Sequence, residues 1–526
     1  MFGIKQRLSK FSPFSRPVKR VLRTLSATLK FPAPDRGEPY VVVVDGMLGY
    51  EPLSLYYCFL LSALARELNR PVQVVMLLQK PMHRFWRSNR LISDVFATSY
   101  VAFNSRDHIS SARRTSQQLA GTLTNQESIL DIKLDGLHFG PNIYAGYLRK
   151  HFVGSMHPDG PAVEAFLTEA CSNIELADAV MTKYHPDLLL LSHSDYHSFG
   201  AFFKKFLQAG IPSVIAPLYG EGRAGGRLYS NLSDFEDDAR NYVFSCTDRT
   251  WNEAVAGYGE IEDTQVSAYL KKRFAGDDNS FNGDYHKSTR RLQKDGLWQA
   301  LGVRRTFARS ALIAAHLLWD DATSSYRNLY VDYSAWLTKT LEVAKKNDQV
   351  LWIVKAHPSE LHMGTKDRVV DIVQGVFGSE LPDHVVFLDA DTPFNTYSII
   401  EAVDAVVTVR GTIGFESACC GHSVINAGSG PYTGQGFNRE FDTPEAYEDF
   451  LLQLHEQNLS LSPQQVRQAR IAIFVYLMNK GPVSPLLTQV DSIAALGLAS
   501  AIDPAMDPVM ARFARLIRKG QACDLL

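Results

Sequence analysis

A chain of 526 residues exceeds what one hydrophobic core organises; at about 150 residues per domain it calls for two to four units. Apolar residues at 45% and charged residues at 21% exclude a mainly disordered, collagenous or coiled-coil chain. Lys and Arg total 54 against 56 Asp and Glu, a net charge of −2, which excludes a protein built to coat nucleic acid.

Residues 1–37 read as a basic leader. Lys5, Arg7, Lys10, Arg16, Lys19, Arg20, Arg23 and Lys30 precede the first acid, Asp35, and Leu8, Phe11, Phe14, Val18, Val21, Leu22 and Leu25 are interleaved. Cations on anionic headgroups with apolar groups dipping inward would suit a membrane surface. Pro13 and Pro17 break any long helix there, and a solvated leader has the same composition. No apolar run reaches the length of a bilayer span or of a signal-peptide core. Six cysteines without CxxC pairs or zinc spacing point to a reducing compartment, so the expectation is a cytoplasmic protein, peripheral at the inner face of the cell membrane.

From Pro39 the pattern alternates. Short apolar runs at Tyr40–Val44, Val72–Leu77, Asp187–Leu191, Pro212–Ala216 and Tyr242–Cys246 read as strands, with helical stretches between them, as in a parallel sheet covered on both faces. Residues 276–308 are polar and basic and read as a linker region. A second series follows. Ala311–His316, Val350–Lys355, His384–Leu388, Ala405–Thr408 and Ser423–Asn426 read as strands, Asp332 caps a helix over Tyr333–Lys346, and from about Thr443 the chain reads as helical to the end. The fold class is therefore α/β with two doubly wound Rossmann-type domains, at 38–275 and 309–480, facing across a cleft, and a helical tail over 481–526.

Two segments carry chemistry in the second unit. Thr408-Val409-Arg410-Gly411-Thr412-Ile413-Gly414-Phe415-Glu416 runs from strand through glycine turn into helix. Free backbone N–H groups at the helix start, the Thr412 hydroxyl and the Arg410 fork would hold a diphosphate, and Glu416 would accept from a ribose diol. The same glycines also suit a plain packed turn. Lys355-Ala356-His357-Pro358 also follows a strand; Pro358 keeps His357 extended and projects its imidazole to the strand's carboxyl end.

These segments, together with Leu329-Tyr330-Val331-Asp332-Tyr333, Asn395-Thr396-Tyr397-Ser398 and Ala427-Gly428-Ser429-Gly430-Pro431-Tyr432, resemble bacterial capsule and surface-carbohydrate biosynthesis proteins, which are similar to GT-B glycosyltransferases of the Kdo- and sialic-acid-transferase type with an HP motif. The resemblance covers about residues 310–480. It implies a nucleotide-sugar donor gripped by His357, Arg410, Gly411, Thr412, Ile413, Gly414 and Glu416, with Gly428 and Ser429 lining the same pocket. It implies a surface polysaccharide or lipid-linked primer as acceptor, with no cofactor beyond the donor substrate. Asp320 and Asp321 are the one acidic pair weighed for a metal, and none is expected.

The N-terminal unit would hold the acceptor and the base. Asp45 follows the first strand, with Gly46 and Gly49 set for close approach of phosphates, and His193, Asp195 and His197 follow the strand ending at Leu191. Asp45 and Asp195 also suit plain helix capping. The alternative functions are a nucleotide-sugar epimerase of the UDP-GlcNAc 2-epimerase type and a non-catalytic assembly protein with a relic nucleotide pocket.

Overall fold

The computed structural model describes residues 38–103, 106–160, 162–218, 222–236, 248–275, 289–323, 327–478, 481–489 and 507–524. The basic leader, the expected strand Tyr242–Cys246 and residues 276–288 of the linker lie outside the described residues.

Val- and Leu-rich runs form parallel strands because such strands are buried on both faces. The first sheet contains β1 (Tyr40–Asp45), β2 (Val72–Leu78), β3 (Ala97–Ala102), β6 (Leu188–Leu191), β7 (Ser213–Ile215), β8 (Arg227–Tyr229) and β15 (Cys523–Asp524), in the order β15-β8-β7-β6-β1-β2-β3. A small hairpin, β4 (Lys133–Leu134) with β5 (Leu137–His138), stands apart. β1 pairs in parallel with both β2 and β6, so the chain reverses direction across the sheet at β1/β6. The second sheet, all parallel, contains β9 (Arg309–Ala314), β10 (Val350–Lys355), β11 (Val385–Leu388), β12 (Ala405–Thr408), β13 (Ser423–Asn426) and β14 (Asn438–Arg439), in the order β11-β10-β9-β12-β13-β14. Its reversal falls at β9/β12.

The tail departs from the all-helical expectation. The helix Pro508–Lys519 packs on the helix Glu51–Leu68, burying Met510, Phe513, Ala514 and Ile517 against the first sheet's layer. β15 then adds antiparallel to β8, and Arg227 pairs with Asp524 at 2.9 Å with both side chains buried. Residues late in the chain thus complete the early unit. Conversely, Tyr258 and Val266, from the end of the first series, pack with Phe415, Ala418 and Ile473 of the second unit.

The gap between the two sheets is bridged. One apolar cluster joins Ile143, Tyr144, Leu148, Phe166 and Leu167 to Leu318, Trp319, Trp336 and Trp352 across the unit boundary. At its polar heart is Asp332. Its Oδ1 accepts from the Ala335 amide at 2.8 Å, capping the helix Tyr333–Lys346, while Oδ2 accepts from Tyr144 Oη at 2.6 Å and Ser155 Oγ at 2.7 Å. Tyr144 Oη also receives the Met156 amide at 3.1 Å. Burial pushes the Asp332 carboxyl up from the usual carboxylate range, and the donors oppose that. Removing it leaves two hydroxyls and a helix start without their acceptor. Asp332→Ala is expected to lower unfolding stability by about 2–4 kcal/mol and Tyr144→Phe by about 1–2 kcal/mol, read from urea midpoints.

Candidate active site

Three neighbouring strands of the second sheet end at one cavity. β9 leads into His316 and the turn with Asp320 and Asp321; β10 ends in Lys355 and continues to His357; β12 ends in Thr408 and continues to Arg410. These residues, with Gly411, Thr412, Ile413, Glu416, Tyr333, Tyr397 and Arg273, line a cavity of about 430 Å³. The cavity sits at the β9/β12 reversal, where two loops diverge and leave a crevice.

Each side chain is held by its neighbours. His357 is half-buried, and its Nδ1 accepts from the Ser359 amide at 3.1 Å, capping the short turn Pro358–Leu361. In the neutral ring the proton therefore sits on Nε2. His316 is one of the residues, with Lys355, Arg273 and Ser192, to which the sequence motifs assigned no role. Its Nε2 accepts from the amides of Val409 at 3.3 Å and Arg410 at 3.5 Å and lies 3.0 Å from Thr408 Oγ1. Its ring stacks on Tyr333 at 4.4 Å. Burial, with Arg410 and His357 nearby, pushes it down to about 3, so it is a neutral ring with its proton on Nδ1. Burial likewise pushes the Lys355 ammonium down to about 8. Arg410 donates to Asn328 Oδ1 and stands 5.7 Å from the Tyr333 ring.

Glu416 is 3% exposed. Its Oε1 accepts from Arg273 Nε at 2.8 Å and from Tyr397 Oη at 3.2 Å, two residues outside the glycine turn that aim the carboxylate. Glu360, beside the HP turn, is turned away from the cavity. It accepts from the Val369 amide at 3.1 Å to hold the next helix, and burial raises it to about 7.

Three expected donor residues lie elsewhere. A Cβ on Gly414 would stand 2.4 Å from Tyr432 Oη, so this glycine admits the tyrosine, which donates to the Gly411 carbonyl at 3.0 Å. Gly428 lies against the backbone of Arg327 and Asn328, and Ser429 bonds Arg327 in both directions, its amide at 2.8 Å and its Oγ at 2.9 Å. Neither lines the cavity. The amide cradle also differs from expectation. The amides of Gly414, Phe415 and Glu416 already donate to Gly411 and Thr412 carbonyls, the Gly411 amide donates to Thr408 Oγ1, and the helix Ile413–Cys419 spans only seven residues. Four amides of this turn are therefore committed within it, and the positive charge on the cavity wall belongs to side chains.

In the first unit, β1 and β6 bring Asp45 and Ser192-His193 together at that sheet's own reversal. Asp45 is 5% exposed. It accepts from the Met47 amide at 2.8 Å and from Ser192 Oγ, and burial raises its carboxyl. Ser192 has one proton, and it is given to Asp45. Its oxygen, 2.8 Å from His193 Nδ1, then accepts from the ring, leaving the lone pair on Nε2, and neither Asp45 nor His193 lines the cavity of the second sheet. Burial lowers the His193 imidazole, while Asp45 and, across the unit boundary, Asp321 and Asp320 oppose that. Asp320 is tied to the first unit by Arg149 at 2.9 Å and Tyr196 Oη at 3.2 Å. Gly46 serves packing: a Cβ there would stand 2.6 Å from Met76 Cγ. Asp195 is buried at the start of the helix Tyr196–Gln208 and does not line the cavity. His197 faces Glu169 at 3.2 Å, inside the first unit. Among the described residues no group of three or more His, Cys, Asp or Glu is placed to hold a metal ion, and no helix is long and apolar enough to cross a membrane.

Residues 303–458 match the family model of capsule polysaccharide biosynthesis proteins, the family that the sequence motifs pointed to. No curated protein matches the sequence. Among solved structures, the chain is similar to UDP-GlcNAc 2-epimerase from Neisseria meningitidis bound to UDP-GlcNAc, at 15% identity over 87% of this chain and 99% of that one, TM-score 0.24. It is also similar to the beta Kdo 2,4 transferase of Thermosulfurimonas dismutans, at 15% identity over 60% and 88%, TM-score 0.31. A third is the α,α-trehalose 6-phosphate synthase of Burkholderia multivorans, at 12% over 88% and 95%, TM-score 0.30.

The packing roles are separable from the cavity. Gly414→Ala is expected to destabilise by about 1–3 kcal/mol through its clash with Tyr432. Ser429→Ala, which removes only a hydroxyl bonded to the Arg327 backbone, should lower the thermal midpoint without altering the cavity lining.

Proposed function

We propose that the protein is a glycosyltransferase that moves a sugar from a nucleotide donor to a surface polysaccharide of capsule or lipopolysaccharide type, or to its lipid-linked primer. One observation carries the reading: Lys355, His357 and Arg410, from two non-adjacent strand ends flanking His316, converge with Glu416 on one cavity sized for a nucleotide. Cations on one wall suit the phosphates, and the Glu416 carboxylate aimed by Arg273 suits a ribose diol. The neutral His316, a donor at Nδ1, suits a sugar or phosphate oxygen.

In a single displacement the acceptor oxygen forms a bond to the anomeric carbon as the bond from that carbon to the phosphate oxygen breaks. The leaving nucleotide keeps the electron pair, and Lys355, His357 and Arg410 offset its charge. The acceptor's proton passes to His193 Nε2, whose ring is held by the Ser192–Asp45 pair. Asp45 thus acts through Ser192 as a positioning group. The reaction has no step that calls for a further cofactor.

A panel of UDP-, GDP- and CMP-sugars, tested by calorimetry and for product release with and without lipid-linked acceptor, checks this reading. An epimerase would convert donor alone, and an assembly protein would bind none. His357→Ala and Glu416→Gln are each expected to lower kcat at least about 100-fold with an unchanged circular dichroism spectrum. Wild-type rates in either would remove the donor site.

The pH profile has a predicted sign. Lys355 is charged below about 8, so nucleotide affinity falls as pH rises past that value. His193 is lowered by burial, so it stays neutral at pH 7 and supplies the acid limb, where protonation removes the base. Lys355→Met should flatten the alkaline limb, and His193→Ala should abolish transfer while nucleotide binding persists.

A further inference from the structure

Among the described residues nine large apolar side chains are exposed, and four of them stand on two neighbouring turns. Leu48 and Tyr50, 40% and 52% exposed, lie on the turn after β1. Met82 and Phe85, 55% and 53% exposed, lie on the 3₁₀ turn Pro81–Phe85 after β2. The turns are fastened to each other. Asn89 Nδ2 donates to the Gly46 carbonyl at 2.9 Å and the His83 carbonyl at 3.0 Å, and Arg87 pairs with Glu51 at 3.1 Å. Single exposed apolar residues mean little, but a grouped set on braced turns marks a contact surface.

Charge decides which contact. Between Gln79 and Ser93 stand Lys80, Arg84, Arg87 and Arg90 and no acid. Lys80 and Arg84 are exposed beside the apolar tips, and the Arg84 guanidinium stands 4.6 Å from the Phe85 ring centroid. Trp86, half-buried behind them, stacks on His83 at 3.7 Å. The core of a protein interface is depleted of charge, whereas here cations and apolar tips alternate at the outermost layer. That alternation fits lipid: apolar tips enter between headgroups while cations rest on phosphates.

We propose that this paired-turn patch, Leu48, Tyr50, Lys80, Met82, Arg84 and Phe85, docks the protein on an anionic phospholipid surface. It is distinct from the basic leader, and it crowns the carboxyl end of the first sheet, the same end that carries Asp45 and His193. Docking there would present that end to molecules anchored in the bilayer.

Co-sedimentation of the full chain with phosphatidylglycerol–phosphatidylcholine vesicles tests this, with pure phosphatidylcholine as the comparison. Binding to the anionic vesicles that weakens with salt is expected. The variants Met82→Ser with Phe85→Ser, and Lys80→Glu with Arg84→Glu, should each reduce it about tenfold or more. All four positions are exposed, and an unchanged thermal midpoint confirms folding. Failure of the wild-type chain to bind anionic vesicles overturns the proposal. So does undiminished binding by both variants, whether it is lost only on replacing Lys5, Arg7 and Lys10 by Gln or resides in self-association seen by light scattering. The readout is lipid binding, so it stands or falls apart from the assignment of the donor cavity.

Discussion

Asp332 and the apolar cluster around it set the distance between the two units. One carboxylate closes the start of the helix Tyr333–Lys346 and takes hydroxyls from Tyr144 and Ser155, so a segment of the first unit is anchored to the second at the helix that begins with Tyr333. Tyr333 is the ring on which His316 stacks. The wall of the cavity and the inter-unit contact are therefore consecutive residues. Any movement of one unit against the other must either keep this contact as its pivot or break these hydrogen bonds.

Both sheets gather titratable and charged side chains by the same rule. A parallel sheet that grows first to one side and then to the other leaves a crevice at the strand ends where the loops part. The β9/β12 reversal receives His316, Lys355, His357 and Arg410, and the β1/β6 reversal receives Asp45, Ser192 and His193. Asp320 and Asp321 lie between the two sets, lining the cavity and acting electrostatically on His193, with Arg149 and Tyr196 fixing the first of them from the opposite side. Cations gather on the cavity wall, and the acids Asp320 and Asp321 act on His193, so charges of opposite sign face each other across the site.

The sequence made the frame legible because its signals are local. Unbroken Val and Leu runs announced the buried strands, and a proline after His357 or glycines after Arg410 announced turns at their ends. What it left hidden depends on contacts distant in the chain. His316 looks like the last residue of an apolar run; only the folded turn shows Val409 and Arg410 donating to its ring. Arg273 aims Glu416 from 143 positions away. Gly414 and Gly428 carry the same letter as a phosphate-cradling glycine, yet each is small because Tyr432 or the 327–328 backbone occupies the space. The antiparallel edge and the return of Cys523–Asp524 to the first sheet have too few residues to leave a periodic trace.

That return has a bearing on how the polypeptide is made. β8 and an apolar face of the helix Glu51–Leu68 are covered by residues 508–524, so during vectorial synthesis the early sheet waits, with an unpaired strand edge and an apolar helix surface, until residues 508–524 have left the ribosome. The second unit, whose sheet has all its strands between Arg309 and Arg439, has no such delay. The order in which the two sheets can be completed is thus the reverse of the order in which they begin: the later sheet has all its strands by Arg439, the earlier one only by Asp524.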